Sequence, residues 1–176
     1  MAPASNAAVY VGRFESGCVN MIEHKLSFVD VFKVKALDAK TLSVDMDKVF
    51  YSSDECAADT VIGEVVVPKG KWTLDGQGKA GERTVDLVTV VLPAGEIKVA
   101  GRPGPKGKGS IVSQGDSIHV HYGNKETFSV SKLSEAGSDK DVRWLDKGKL
   151  FFGSPEKVGL DGYPVAINEE IFFTRR

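Results

Sequence analysis

Along most of this chain apolar and polar side chains alternate with a period of two. That spacing puts one face of a β-strand in a core and the other in water. Ile22, His24, Leu26 and Phe28 share one face, while Glu23, Lys25 and Ser27 share the other. The pattern continues through Asp30, Phe32 and Val34, as two strands or as one long bent strand. Leu37–Lys40 reads as the turn that follows. Leu42, Val44 and Met46 then alternate with Ser43, Asp45 and Asp47, which places both aspartates on a solvent-facing side. Lys48 falls where an apolar residue is due, and Val49 and Tyr51 take over. A β-bulge near Lys48 would give that phase shift.

Further strands are expected at Ala8–Glu15, Val61–Val67, Lys71–Leu74, Thr84–Leu92, Ser110–Ser113, Ser117–Tyr122, Thr127–Leu133 and Glu170–Arg175. Thr84–Leu92 is apolar on both faces, as in a strand covered on both sides. Asp75–Gly81, with three glycines, reads as a hairpin loop, and Ser134–Lys140 as a polar loop. Gly101–Gly109 is basic, glycine-rich and without apolar periodicity, which suits a loop at a barrel rim. The best helix candidates, Asp54–Ala58 and Asp139–Leu145, are one or two turns each. The chain is therefore expected to be all-β with little helix. We expect an antiparallel up-and-down barrel over residues 8–176 behind a frayed tail over residues 1–7. Phe28, Phe32, Met46, Phe128 and Phe152 are large inward residues able to fill it.

The only two cysteines each follow an aromatic strand-like run and a short polar turn: Val11–Cys18 and Val49–Cys56. Cys18–Cys56 is read as a disulfide tying the first strand to the end of the third. The alternative is two unrelated buried thiols. A disulfide fits an exported protein, secreted or periplasmic. No signal peptide is visible, but Ala2–Ala8 looks like a mature start after a removed signal, with Met1 added for expression.

The same segments carry a resemblance. Gly12-Arg13-Phe14, Cys18, Tyr51–Cys56, Leu160-Asp161-Gly162-Tyr163-Pro164 and Phe172-Phe173-Thr174-Arg175 together resemble small secreted bacterial lipocalin-like, calycin-type domains. True lipocalins have Gly-x-Trp at the first motif, and Phe14 stands at the Trp position here. The resemblance implies an up-and-down antiparallel barrel and an export route.

Few residues suggest chemistry. The formal net charge of −1 lacks the basic footprint of a nucleic-acid binder. No run approaches the roughly 18 apolar residues of a membrane-spanning helix. Gly-x-Ser-x-Gly and His-Glu-x-x-His are absent, and Cys18 and Cys56 are not a Cys-x-x-Cys pair. Gly101–Gly109 lacks the phosphate-loop pattern. His119 and His121 point the same way on one strand, but two imidazoles fall short of a metal's usual three or four ligands. The expectation is no catalytic residue, no cofactor and no metal.

His24, within an apolar face, needs a partner if buried and could orient a ligand. With Leu26, Phe28, Trp72, Tyr122 and Phe128 it forms the expected lining of a ligand cavity. The function this supports is non-catalytic binding of a small or apolar molecule, or of an envelope component. The alternative is a β-sandwich or filled barrel that acts through its surface. Eight or so strands allow either a filled interior or room for one small ligand.

Overall fold

The computed structural model describes residues 5–21, 25–101, 109–122 and 125–176, the side chains of 125–128 excepted. Its strands are β1 (Gly12–Glu15), β2 (Val19–Met21), β3 (Leu26–Ala36), β4 (Thr41–Tyr51), β5 (Val61–Val66), β6 (Gly70–Ala80), β7 (Arg83–Leu92) and β8 (Gly95–Glu96). They continue with β9 (Lys98–Gly101), β10 (Gly109–Gln114), β11 (Ser117–Tyr122), β12 (Lys125–Ser131), β13 (Leu133–Ser134), β14 (Gly137–Asp146), β15 (Lys149–Gly153) and β16 (Ile167–Arg175). Among the described residues there is no α-helix.

Eight strands close on themselves in the order β3-β1-β16-β15-β14-β7-β6-β4, with β4 returning to β3. Every pairing in this ring is antiparallel. Ring neighbours also follow one another along the chain apart from the insertions between them. The result is a closed up-and-down barrel, consistent with a calycin-like architecture.

The two ends of the barrel differ. Short turns at 37–40, 81–82 and 147–148 gather at one end. That end is plugged by a 3-10 turn, Ala7–Tyr10, whose Ala8 N–H donates to the Asn6 side chain. Residues 8–10 were expected to open the first strand. Instead the strand begins at Gly12, and Tyr10 turns inward under the barrel. Nor is the tail frayed through residue 7: Ala7 is fully buried and its N–H donates to Ala39 O at 2.9 Å.

The 154–166 connection folds back along the outside to the 81–82 turn, while the long connections 16–25, 52–69 and 93–136 lie at the other end. There β5, β9 and the sheet β10-β11-β12 add a second layer. The β3–β4 hairpin joins the two parts. It is paired without interruption from Ala36↔Leu42 to Ser27↔Tyr51. Val34, Leu42 and Val44, from the same face, enter the barrel core with Tyr10, Phe14, Trp72, Leu74, Val88, Leu150 and Phe173. Further along that face, Leu26 and Phe50 enter a second core with Ile62, Val65, Ile111, Ile118 and Val120.

Several expectations are corrected. No bulge interrupts β3–β4 at Lys48. Lys48 keeps the inward phase because Asp30, its cross-strand neighbour, accepts its charge at 2.9 Å. Its ammonium also lies 3.6 Å from the Phe28 ring centroid, a cation–π contact. Asp47 is not solvent-facing; it is 5% exposed and pairs with Lys33 at 3.0 Å.

Asp75–Gly81 is not a loop, since β6 runs to Ala80 through a register shift between Leu74 and Gly76. Gly76 takes the shift at a φ of +148°. Asp139–Leu145 and most of Ser134–Lys140 belong to β14, where Val142 is buried outside the barrel and Leu145 packs within it. The stretch after Val19 is two strands, β2 and β3, paired as a hairpin. Val85 and Leu87 are covered on the outer face while Val88 and Val90 fill the inner one, so β7 is apolar on both faces for the reason given by its sequence.

Cys18 and Cys56 are joined, with Cα atoms 5.8 Å apart. The bridge links the start of β2 to the turn after β4, at the open end. Buried Ser27 reinforces it: its hydroxyl donates to Ser53 O at 2.6 Å and accepts from Cys56 N–H at 2.9 Å. The residues of the resemblance also meet, since Arg175 pairs with Phe14 across strands and its guanidinium lies 5.0 Å from that ring. The bridge spans 38 residues. Closing such a loop restricts the unfolded chain, so replacing both cysteines by serine is expected to cost roughly 2–4 kcal/mol in urea unfolding. A loss well under about 1 kcal/mol would show that the bridge does not hold the open end.

Candidate functional site

The open end carries two adjoining cavities. One, of 230 Å³, is lined by Phe32, Val44, Met46, Gly70, Trp72, Val90, Asp141, Arg143 and Phe152. The other, of 280 Å³, lies between the barrel and the second layer and is lined by Asp30, Phe32, Met46, Lys48, Phe50, Val65, Ile97, Val130 and Phe173. Phe32 and Met46 belong to both, so these two side chains are the partition between them.

Period-two alternation produces this mouth. Phe32 on β3, Met46 on β4, Trp72 on β6, Phe152 on β15 and Phe173 on β16 all point inward. The rings of Phe32, Trp72, Phe152 and Phe173 contact one another with centroids 4.7–6.1 Å apart, several edge to face. Such tilted and edge-to-face pairs are the favoured arrangements of aromatic quadrupoles.

Two ion pairs and the carboxylate of Asp47 interrupt the aromatic lining. Asp30–Lys48 lies in the outer cavity and is about one-third exposed. Asp141–Arg143 lies in the inner one. Arg143 is 4% exposed, with its guanidinium 4.2 Å from the centroids of both Trp72 and Phe152. Burial pushes its pKa below the usual arginine range, and the Asp141 carboxylate opposes that shift. Arginine ionises so far above neutrality that it stays charged.

The donors and acceptors of this pair do not balance. Asp141 Oδ1 accepts from Val142 N–H at 2.8 Å and Gly153 N–H at 3.0 Å, and Oδ2 accepts from Arg143 Nη1. The carboxylate thus accepts three donors, with both oxygens engaged. Arg143 Nε is buried with no hydrogen-bond partner among the described residues. A buried donor without an acceptor costs about 1–3 kcal/mol, an energy a ligand acceptor can recover.

Gly153 lets this corner close. A Cβ there would sit 2.5 Å from Pro164 and 2.7 Å from Asp141 Oδ1. Pro164 ends the Leu160–Pro164 segment, which is held by Lys140 Nζ donating to Asp161 O at 2.8 Å and Tyr163 Oη donating to Asp75 at 2.7 Å. That motif clasps the outside of the barrel over Val85, Leu87 and Val142.

Beneath the mouth, toward the plugged end, is a more polar cavity of 260 Å³ lined by residues including Tyr10, Gln77, Thr84, Asp86 and Arg143. Asp86 is buried and accepts from Tyr10 Oη at 2.5 Å and Ser5 N–H at 2.8 Å. Burial, with the Asp86 bond behind it, holds the Tyr10 hydroxyl far above the ordinary tyrosine range. Tyr163 is pushed up to about 12, by burial first and then by Asp75.

The lining expected from sequence is divided. Trp72 stands in the mouth. Leu26, Phe28 and Tyr122 lie in the second core, with Leu26 fully buried. His24, the side chain of Phe128 and residues 102–108 of the basic loop lie outside the described residues. His119 and His121 share a face with ring centroids 6.1 Å apart, and among the described residues no group of three or more metal-ligating side chains gathers. Sequence reasoning missed Arg143 and Asp141, because they fall in Asp139–Leu145, the segment read as a short helix. The signal was there: Asp141, Arg143 and Leu145 alternate with Val142 and Trp144. Compared with protein-family models, curated proteins and solved structures, the chain matches none.

The tyrosine geometry gives a pH expectation. Tyr10 and Tyr163 keep their protons in the folded protein where an unfolded tyrosine loses its own, above about pH 10. The folded state then binds more protons, so stability falls as pH rises past that point. Tyr10→Phe should cost about 1–3 kcal/mol at neutral pH and flatten the alkaline decline, leaving the share of Tyr163 between about 10 and 12. Urea unfolding across pH 7 to 12 checks it; an unchanged alkaline slope would contradict the Tyr10–Asp86 bond.

Proposed function

We propose that this protein is a non-catalytic, lipocalin-like binding barrel that takes a small apolar or amphipathic molecule into its open mouth. The observation that carries the reading is the pair of adjoining cavities walled by Phe32, Met46, Trp72, Phe152 and Phe173. Ligand sites are mostly apolar concavities with a few placed polar groups. Here the polar groups are Asp30–Lys48, Asp47 and Asp141–Arg143. Met46 suits the partition, since an unbranched thioether can move aside without branching clashes. The Cys18–Cys56 bridge supports an oxidising compartment, so we place the protein outside the cytosol, secreted or periplasmic.

A second reading has its own observation. On the outer face of the barrel Trp144, Phe151 and Phe172 form a ladder with centroids 4.9 and 5.6 Å apart. Arg83 and Lys149 lie over its two ends, and Ile171 beside it is 56% exposed. A surface of that kind suits a protein partner in the envelope.

One experiment separates the two. The chain has two tryptophans, so Trp144→Phe leaves Trp72 as the sole reporter. Titration with a fluorescent naphthalene sulfonate should change Trp72 emission saturably, one molecule per chain, and Phe172→Asp should leave that binding unaltered. A non-saturable response, or binding abolished by Phe172→Asp, would overturn the mouth as the site.

A further inference from the structure

The two cavities meet at Phe32 and Met46, and each holds one ion pair at a different position along the same inward surface. The distance between the pairs follows from the strands. Asp30 and Phe32 are same-face neighbours on β3, about 7 Å apart. The Phe32 and Phe152 rings are 5.6 Å apart, and the Arg143 guanidinium is 4.2 Å from Phe152. Lys48 and Arg143 therefore mark the two ends of an aromatic-lined path on the order of 15 Å long.

At the inner end it is the cation, through Nε, that lacks a partner among the described residues, and at the outer end Lys48 stands beside Asp30 and Asp47, the latter neutralised by Lys33. Asp141 already accepts three donors, whereas Arg143 Nε has no acceptor among the described residues. Lys48 Nζ has three N–H groups; among the described residues it pairs with Asp30 and rests on the Phe28 ring. Between these ends Phe32, Met46 and Phe173 offer only apolar surface.

We propose that the mouth takes an elongated apolar molecule with an anionic, hydrogen-bond-accepting group at each end, in its simplest form a long-chain α,ω-dicarboxylate. One carboxylate meets Arg143 and the other Lys48, and the chain runs between them past Met46. This specificity rests on the reading of the mouth as a small-molecule site. It differs from a general apolar pocket in one respect, that the second charged end contributes to binding. A hydrophobic slot alone cannot reward that charge, because a buried carboxylate without a partner is strongly unfavourable.

The test is calorimetric titration of the whole, oxidised protein with decanedioic acid, decanoic acid and decanol at neutral pH and fixed ionic strength. Decanedioate should bind at least tenfold more tightly than decanoate. Lys48→Met leaves Asp30 without its partner at a site about one-third exposed, so circular dichroism first checks that the variant is folded. That variant should bring the two acids to equal affinity. Lys48→Arg should restore the preference. Equal affinities in the unaltered protein, or a preference that survives Lys48→Met, would overturn the two-ended ligand while leaving the binding site in place. Failure of all three compounds to bind would overturn both.

Discussion

The unbroken ladder between β3 and β4 is the constraint on which the rest of the molecule depends. A side chain's face in a strand is set by parity, and a slip of one residue reverses every side chain beyond it. Because the pairing holds from Ala36↔Leu42 to Ser27↔Tyr51, one continuous face supplies Val34, Leu42 and Val44 to the barrel and Leu26 and Phe50 to the second core. Phe32 and Met46 lie between the two cores, where the mouth opens. The Asp30–Lys48 pair keeps the phase through a polar step. Each residue alone would be costly on an inward face, and together they neutralise one another while staying in reach of solvent. The disulfide then fixes the far end of the same hairpin.

The interior is more polar than its outline suggests. Asp86 with Tyr10, and Arg143 with Asp141, sit inside an otherwise apolar barrel. Buried charges are retained only with partners, and three of these four groups are hydrogen-bonded in full or nearly so. The Tyr10–Asp86 bond ties the plug to the barrel wall and is a structural feature. Arg143 is different: stacked between Trp72 and Phe152, it leaves Nε–H unmatched beside a cavity. Arg143 borders both the mouth and the polar cavity below it, and the mouth carries the functional reading because its other walls are aromatic and aliphatic.

Much of the fold was legible because alternation is a local signal. The barrel, its antiparallel strands, the turn at 37–40, the two-faced burial of β7 and the cysteine pairing all follow from patterns a few residues long. The failures came where a long-range partner overrode a local cue. Lys48 looked like a break in register because Asp30, eighteen positions earlier, is invisible to a local reading. The glycines of Asp75–Gly81 looked like a loop, yet Gly76 takes a bulge and Gly78 makes room for Leu87, where a Cβ would come within 3.0 Å. The candidate site was less legible than the fold. Trp72 lines the mouth, but its partners on β14, β15 and β16 are brought beside it only by closure of the ring, and Leu26, Phe28 and Tyr122 serve a second core that no short pattern announces.

Cross-strand nuclear Overhauser contacts along β3 and β4 test this account most directly, since parity there decides what faces the mouth. A continuous ladder predicts contacts pairing Phe32 with Met46, Asp30 with Lys48 and Phe28 with Phe50. Contacts that instead pair Asp30 with Val49 and Phe28 with Tyr51 would put a bulge at Lys48, turn its ammonium outward, and contradict both the shared face and the site built on it.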